Sequence, residues 1–293
     1  MELDYVKLKE IKPALSGYIR DAQSLLKQSP FPDDKDVHDI RVLMKKSRAV
    51  LNLLISQTDE ESYTRDYNAF REVGRVTRYW RESSVHRKTL RDLRKDHPDI
   101  FTALGENEKL ESLIKKPDLK EGTSADSGNE LVHIEELLNK AGFRIRFRSM
   151  STLDPRILLT ELDKTYHTVT DKYLICRNNQ KPENIHTLRK RAKDFLYQLY
   201  FFRPLNPGVI KSLEKRLETM TQYLGKFNDL AQLINALEYK YRGPDGNPAL
   251  DELIVIIRDE QDKYLSKVWP VAYQIFCPGQ KLVNVLGFKL LMI

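Results

Sequence analysis

The spacing of apolar residues is the feature that most constrains the fold of this 293-residue chain. Leu15, Ile19, Ala22 and Leu26 recur three or four residues apart, and similar runs occur in the second half of the chain. This spacing places apolar side chains on one face of an α-helix. Glycine (12 residues) and proline (13 residues) are scarce and cluster between the periodic runs, which favours helices over a turn-rich β fold. The sequence therefore predicts an all-α protein.

Glycine and proline clusters divide the chain into a series of predicted helices. We place these helices over residues 5–28, 36–57, 60–96, 99–116, 130–142, 154–178, 184–202, 207–241 and 249–276. Residues 143–148 depart from the helical pattern, because apolar and basic residues alternate there with a period of two. Such alternation is typical of a strand. We therefore expect an extended connector between two halves at this point.

Two sequence patterns recur at about half the length of the chain. The pattern H-x-x-R-x-x-x-K begins at His38 and again at His186, 148 residues later. Residues 73–77 likewise resemble residues 224–228, at an offset of 151. Two repeated patterns in the same order predict an internal duplication, in which each copy is a bundle of about four helices. We place the two halves at residues 1–145 and 146–293.

Basic residues at helical spacing define candidate binding residues in both halves. Since a helix turns about 100° per residue, residues three, four or seven positions apart share a face. The first stripe comprises His38, Arg41, Lys45 and Arg48; the second stripe comprises His186, Arg189, Lys193 and Tyr197; and the further candidates are Arg71, Arg75, Arg78 and Lys226. Like charges at this spacing repel by about a few tenths of a kcal/mol per pair. Aligned stripes without acids therefore indicate that an anion supplies the missing charge.

The net charge of +7 and the pI near 9.1 favour a phosphate-bearing partner. Arginine offers a planar fork that matches two phosphate oxygens, and lysine offers a movable point charge. A polyanion should also raise histidine pKa values from their ordinary range near 6.5, so binding should tighten as the pH falls. A basic helix face is commonly only a solvated surface. Its occurrence twice, led by histidine each time, favours a binding role.

Two other functions share this electrostatic pattern. A nucleic-acid-binding protein would need the same positive charge, but no recognisable base-reading motif occurs in the sequence. A phosphohydrolase or phosphotransferase could use His38 or His186, but such enzymes normally place acidic Mg²⁺ ligands near the basic cluster. Neither stripe contains an aligned acid. The sequence therefore favours a binding protein over an enzyme.

Motifs for catalysis, metals and cofactors are absent from the sequence. The chain has no Walker A segment, no glycine-rich dinucleotide loop and no H-E-x-x-H pattern. Its two cysteines, Cys176 and Cys277, form neither a disulfide framework nor a zinc cluster. No apolar run approaches the roughly 18 residues needed to span a bilayer, and residues 1–12 lack the apolar core of a signal peptide. We expect a soluble, cytoplasmic protein with no catalytic residues, metal, cofactor or membrane partner.

These residues resemble the CHAD domain, the conserved histidine α-helical domain. The resemblance extends over residues 1–293 and rests on both H-x-x-R-x-x-x-K patterns and on residues 224–230, which resemble the family's Leu-Gly-x-x-Asn/Arg-Asp segment. It implies two four-helix bundles related by a pseudo-two-fold axis, with a basic central groove or pore lined by the histidines, arginines and lysines above. It also implies binding of inorganic polyphosphate without catalysis, association with polyphosphate granules and no specific nucleic-acid partner.

The sequence departs from the family pattern at three places. Thr77 and Arg78 stand where the family has Arg-Asp, and Leu196 stands in the second stripe where the first has Arg48. Residues 1–12 lack the E-x-E-x-K motif of the triphosphate-tunnel domain that often accompanies the family. We therefore expect a stand-alone copy, with Thr77 a doubtful ligand contact.

Overall fold

The computed structural model of the protein describes residues 5–28, 31–104, 110, 125–241 and 248–287. Within these residues the α-helices are α1 (Leu8–Lys27), α2 (Asp34–Leu53), α3 (Glu60–Asp96), α4 (Pro98–Leu104), α5 (Ala125–Phe147), α6 (Pro155–Asn178), α7 (Pro182–Leu199), α8 (Pro207–Tyr241), α9 (Pro248–Phe276) and α10 (Leu282–Val285). No strand occurs in this part of the chain, which confirms the all-α prediction. The predicted helix over 99–116 lies outside the described residues beyond Leu104, except for residue 110.

Aspartate caps fix the beginnings of the helices that carry the first set of candidate residues. The Asp33 carboxylate accepts hydrogen bonds from the backbone N–H groups of Lys35 and Asp36 at the beginning of α2. The Asp59 carboxylate does the same for Ser62 at the beginning of α3. Such caps satisfy N–H groups that have no partner inside the helix. They determine where the basic faces of α2 and α3 begin.

The predicted extended connector at residues 143–148 is wrong, because α5 continues to Phe147. Arg144 Nε and Arg148 Nη2 each lie 2.6 Å from an oxygen of the Asp66 carboxylate in α3. A helix places residues four positions apart one above the other on the same face, so both arginines reach this carboxylate. The Asp66 side chain is fully buried, and a buried carboxylate requires such partners to remain charged. This ion pair therefore ties the end of α5 to α3.

Two hydrophobic clusters hold the helices together. The larger cluster extends from Val6 near the beginning of the chain to Leu286 near the end of the described residues, and includes side chains from α1, α2, α3 and α5 to α10. A smaller cluster joins the C-terminal part of α3 to α4, α8 and α9, with Leu93, Leu233 and Ile257 among its members. The long helices α3 and α8 belong to both clusters. They therefore join the two clusters.

Helices α2 and α7, which carry the two stripes, are in direct contact. Gln198 Nε2 in α7 donates a 3.0 Å hydrogen bond to the backbone oxygen of Ala49 in α2. Helix α2 also packs against α3, and α7 packs against α8.

Among the described helices, none has the length and apolar character required to cross a membrane. The division at residues 145 and 146, the internal duplication and the pseudo-two-fold axis remain predictions.

Candidate functional site

Helices α2, α3, α7 and α8 line a half-open cavity of about 620 Å³, the four-helix cavity. Its polar lining comprises Arg41 and Lys45 from α2, Arg78 and Arg81 from α3, Glu183, His186, Thr187 and Arg189 from α7, and Asn228, Asp229, Gln232 and Asn235 from α8. Members of both predicted stripes therefore meet in one cavity.

The Arg41 side chain is fixed against α3. Its Nη1 donates hydrogen bonds to the backbone oxygen of Gly74 and to Thr77 Oγ1, the latter at 3.1 Å. Thr77 Oγ1 in turn donates to the Val73 backbone oxygen at 2.7 Å. Burial, together with the charges of neighbouring arginines, lowers the pKa of Arg41 to about 10. Thr77, which is fully buried, therefore orients Arg41 from behind the cavity wall.

Arg189 occupies a similar position against α8. Its Nε donates a 3.3 Å hydrogen bond to the backbone oxygen of Thr221. A Cβ atom at Gly225 would lie only 3.1 Å from Nε and Nη2 of Arg189, so the missing side chain lets the guanidinium lie on the helix backbone. Arg189 therefore lies against Gly225, whereas Arg41 contacts Gly74 through the backbone oxygen of that residue.

Lys45 is the one lysine in the described lining of the cavity, and its pKa is strongly lowered. Burial, together with the positive charges of Arg189, Arg41 and Arg81, lowers its pKa to about 7. Arg189 belongs to the second stripe and Arg41 to the first, so the perturbation reflects their convergence. A lysine with such a pKa is only partly charged at neutral pH. The ligand-free cavity therefore holds less than its full positive charge.

Both predicted histidines have lowered pKa values in the ligand-free protein. Partial burial is the main cause for His38 and for His186, and neighbouring cations contribute in each case. For His38 these cations include Arg81 and Lys45, and for His186 they include Arg189 and Lys45. Both imidazole rings are consequently neutral at pH 7. The histidines therefore titrate at a lower pH than the sequence led us to expect.

Three other predicted residues lie beside the cavity rather than in its wall. Arg48 is near enough to Lys45 and Arg41 to lower their pKa values. Lys193 Nζ lies 5.6 Å from the centre of the Tyr197 ring. Burial raises the pKa of Tyr197 to about 12, so this phenol remains protonated and can donate a hydrogen bond.

The last three predicted residues line other hollows. Arg71 and Arg75 face a separate hollow between α3 and α5, where Arg75 Nη2 lies 2.6 Å from the Glu72 carboxylate. Lys226 lines a mixed-charge hollow between α3, α8 and α9 that also contains Glu260. Its Nζ lies 5.3 Å from the centre of the Tyr264 ring. The four-helix cavity therefore contains only part of the predicted set.

Arg81, Asn228 and Asp229 are among the lining residues that sequence reasoning missed. Arg81 follows Arg78 by three positions and continues the basic face of α3, so its spacing could have identified it. Asn228 and Asp229 lie within residues 224–230. That segment resembles the family's Leu-Gly-x-x-Asn/Arg-Asp segment, but the sequence did not indicate that these two side chains line a cavity. Burial raises the pKa of Asp229, while Arg189 and Arg81 oppose that shift. An acidic side chain therefore projects among the cations.

The cations of the four-helix cavity lack acidic partners at ion-pair distance among the described side chains. Arg41, Lys45, Arg78, Arg81 and Arg189 have no carboxylate within 4.0 Å in that part of the chain. Nor do the described residues contain a group of three or more His, Cys, Asp or Glu side chains suited to a metal ion. Such an arrangement suits a ligand that carries several negative charges.

Comparison with known proteins identifies the family. No curated protein sequence matches the chain. The family model described as CHAD domain matches residues 17–238, which is more than half of the chain and includes α2, α3, α7 and most of α8. The chain therefore belongs to the CHAD domain family.

Proposed function

We propose that the protein binds inorganic polyphosphate, without catalysis, in the four-helix cavity. The observation that carries this proposal is the convergence of five arginine and lysine side chains from α2, α3 and α7 with no carboxylate within ion-pair distance among the described side chains. Like charges held together in a partly desolvated cavity repel one another. A polyanion offers one negative charge after another along its length and relieves that repulsion. Association with polyphosphate granules would follow from such binding.

The burial pattern of the two stripes supports the proposed duplication. Ile40 and Leu188 are fully buried, whereas Arg41 and Arg189, the residues that follow them, are half-buried. The offset between these pairs is the same 148 residues that separates the two histidines. We therefore include in the proposal two four-helix bundles related by a pseudo-two-fold axis. The cavity would be the groove or pore between them.

Nucleic acid is the main alternative ligand, because it also presents regularly spaced phosphates. The cavity of about 620 Å³ lies between four helices, and it suits a bare chain better than a duplex some 20 Å across with its bases inside. A phosphohydrolase or phosphotransferase is the other alternative. Asp229 and Glu183 are the only carboxylates in the described lining, so the usual acidic Mg²⁺ ligands are poorly represented.

A titration with polyphosphate of defined lengths, with DNA and RNA as competitors, tests the proposal. We expect polyphosphate to displace DNA at equal phosphate concentration, and its affinity to fall steeply as salt rises because binding releases counterions. Phosphate release should not occur with or without magnesium. Tighter binding of DNA would favour the nucleic-acid alternative, and magnesium-dependent phosphate release would favour the enzyme.

Replacing Asp229 with asparagine should strengthen polyphosphate binding. The carboxylate lies among Arg189, Arg81 and Lys45, where it both offsets their charge and repels a phosphate chain. Removal of one like charge in a partly buried site should tighten binding by about tenfold, or roughly 1.4 kcal/mol. Binding isotherms of the two proteins at low salt measure this change. Weaker binding of D229N would show instead that Asp229 positions the arginines for the ligand.

A further inference from the structure

We propose that Arg48, Arg71 and Lys190 form an outer subsite beside the four-helix cavity, at the edge of the hollow between α3 and α5 that Arg71 also lines, and that only longer polyphosphate chains reach it. This inference rests on the proposed function and deepens it, because it assigns Lys190 a binding role and gives the site a means of discriminating chain length. The cavity residues Arg41, Lys45, Arg78 and Arg189 then form an inner subsite.

The position of the outer subsite follows from the register of α2 against α3. Arg41 of α2 is hydrogen-bonded to Thr77 of α3, and Arg48 of α2 lies with its guanidinium carbon 5.9 Å from the centre of the Tyr67 ring of α3. The two helices are therefore antiparallel. The step of seven residues from Arg41 to Arg48 on α2 corresponds to a step of ten residues in the opposite direction, from Thr77 to Tyr67, on α3. Arg71 lies between these two levels, within about one turn of Arg48.

Helix geometry gives the distance between the subsites. Arg41 and Arg48 are seven residues apart on α2, and Arg71 and Arg78 are seven apart on α3. Seven residues of α-helix span about 10 Å and return to almost the same face. The outer pair therefore repeats the inner pair about 10 Å further along the same two helices.

Helix α7 contributes the third cation of the outer subsite. Lys190 is exposed and directly follows Arg189, which lines the inner cavity. Its pKa is lowered mainly by burial of part of the side chain and then by the charge of Arg191, with smaller contributions from Arg48 and Arg71. Cations from α2, α3 and α7 thus lie close together at the outer level, as they do in the inner cavity.

Asp194, whose pKa is affected by the charges of Arg48 and Lys190, is already engaged in an ion pair. Asp194 in α7 is buried and forms an ion pair with Arg191 at 3.3 Å. Arg48, Arg71 and Lys190 have no carboxylate within ion-pair distance among the described side chains. They therefore remain available for phosphate, whereas Arg191 is partly neutralised.

Arg75 provides a natural comparison on the same helix. It lies one turn beyond Arg71 and is exposed, but its guanidinium makes two hydrogen bonds with Glu72, at 2.8 and 2.6 Å. Lys140 on the facing helix α5 is also exposed and is paired with Glu136 at 3.0 Å. Arg75 and Lys140 lie near the outer subsite, but a neighbouring glutamate neutralises the charge of each. They supply a matched control for any loss of net charge.

The test compares Arg71→Gln plus Lys190→Gln with the control Arg75→Gln plus Lys140→Gln. Affinities for tripolyphosphate and for long-chain polyphosphate are measured for both variants and for the unmodified protein. With the outer subsite removed, long-chain binding should weaken by about tenfold, the size expected for two solvent-accessible contacts, while tripolyphosphate binding should change little. The control variant should bind both ligands almost as the unmodified protein does.

Two results would overturn the outer subsite while leaving polyphosphate binding intact. One is an equal loss for the short and the long ligand, and the other is an equal loss in the control variant. Failure of the unmodified protein to bind either ligand would overturn the proposed function, and the outer subsite with it. All substituted side chains are solvent-accessible, and circular dichroism melting curves should confirm that both variants fold.

Discussion

Replacing Arg41 and Arg189 together with glutamine should weaken polyphosphate binding by about two to four orders of magnitude. Each guanidinium is held in the cavity wall against a helix backbone, so neither needs to be ordered when the ligand binds. A hydrogen bond to a charged group contributes about 1.5–3 kcal/mol, and two such contacts contribute about 3–6 kcal/mol if they add. Isothermal titration calorimetry with long-chain polyphosphate measures the loss.

The two single variants of this pair test whether both stripes bind the same ligand. Arg41→Gln and Arg189→Gln should each remove roughly half of the binding free energy lost in the double variant. A protein in which one single substitution abolished binding and the other had no effect would have a site confined to one half. Melting temperatures should stay constant or rise, because each change removes a charge from a repulsive cluster. Arg156→Gln, on an exposed arginine paired with Asp154, controls for the change in net charge.

The long helices could be predicted from the sequence because their signals are local. Residues 60–96 were predicted as a helix, and α3 spans Glu60–Asp96. The Asp59 cap lies at one end and His97 followed by Pro98 at the other, and both boundaries can be read within a few residues. The prediction for residues 143–148 was wrong because six residues are too few to distinguish the apolar and basic alternation of a strand from that of a helix with one buried face. The partner that settles the matter, Asp66, is 78 residues away from Arg144.

The candidate site could be predicted only in part, because spacing identifies a face but not its partner. Arg41 and Arg75 both belong to basic stripes of similar appearance. Arg41 lies against α3 in the cavity, whereas Arg75 is paired with Glu72, three residues before it in the same helix. Because Glu72 lies three residues before Arg75, on the same side of the helix, the sequence alone could have excluded Arg75 from the candidate binding residues. The convergence of Lys45 with Arg189 depends on how α2 packs on α7, which no local pattern encodes.

The packing of α2 on α7 also changes which residue we expect to cause the pH dependence of polyphosphate binding. The sequence favoured His38 and His186, but their pKa values are lowered in the free protein. Lys45, whose pKa falls to about 7, is the group that titrates nearest to neutral pH. A bound polyanion would favour its charged form, so binding should take up protons. The histidines should add to that uptake only under more acidic conditions.

Lys45→Met should stabilise the ligand-free protein at pH 7 and remove part of its pH dependence. The pKa of Lys45 is about 7 in the folded protein, against 10.5 for an ordinary lysine. Between these values the unfolded chain binds the proton and the folded protein does not, so the free energy of unfolding rises with pH. One pKa unit corresponds to about 1.4 kcal/mol, so the difference between 10.5 and about 7 limits the stabilisation by Lys45→Met to about 5 kcal/mol. Partial exposure to solvent reduces the expected stabilisation to about 2–4 kcal/mol.

Denaturant unfolding at pH 7 and at pH 10, with and without the substitution, measures this effect. The gain in stability from Lys45→Met should be largest at pH 7 and small at pH 10, where the unmodified lysine is neutral in the folded protein. Lys46→Met removes the same charge one position away, from a side chain that lies over the rings of Tyr18 and Tyr197, and should not stabilise the protein. Calorimetric titrations in buffers of different ionisation enthalpy should also show less proton uptake on polyphosphate binding by the Lys45 variant. Equal stability of the two proteins at both pH values would show that Lys45 is fully charged and hydrated in the free cavity.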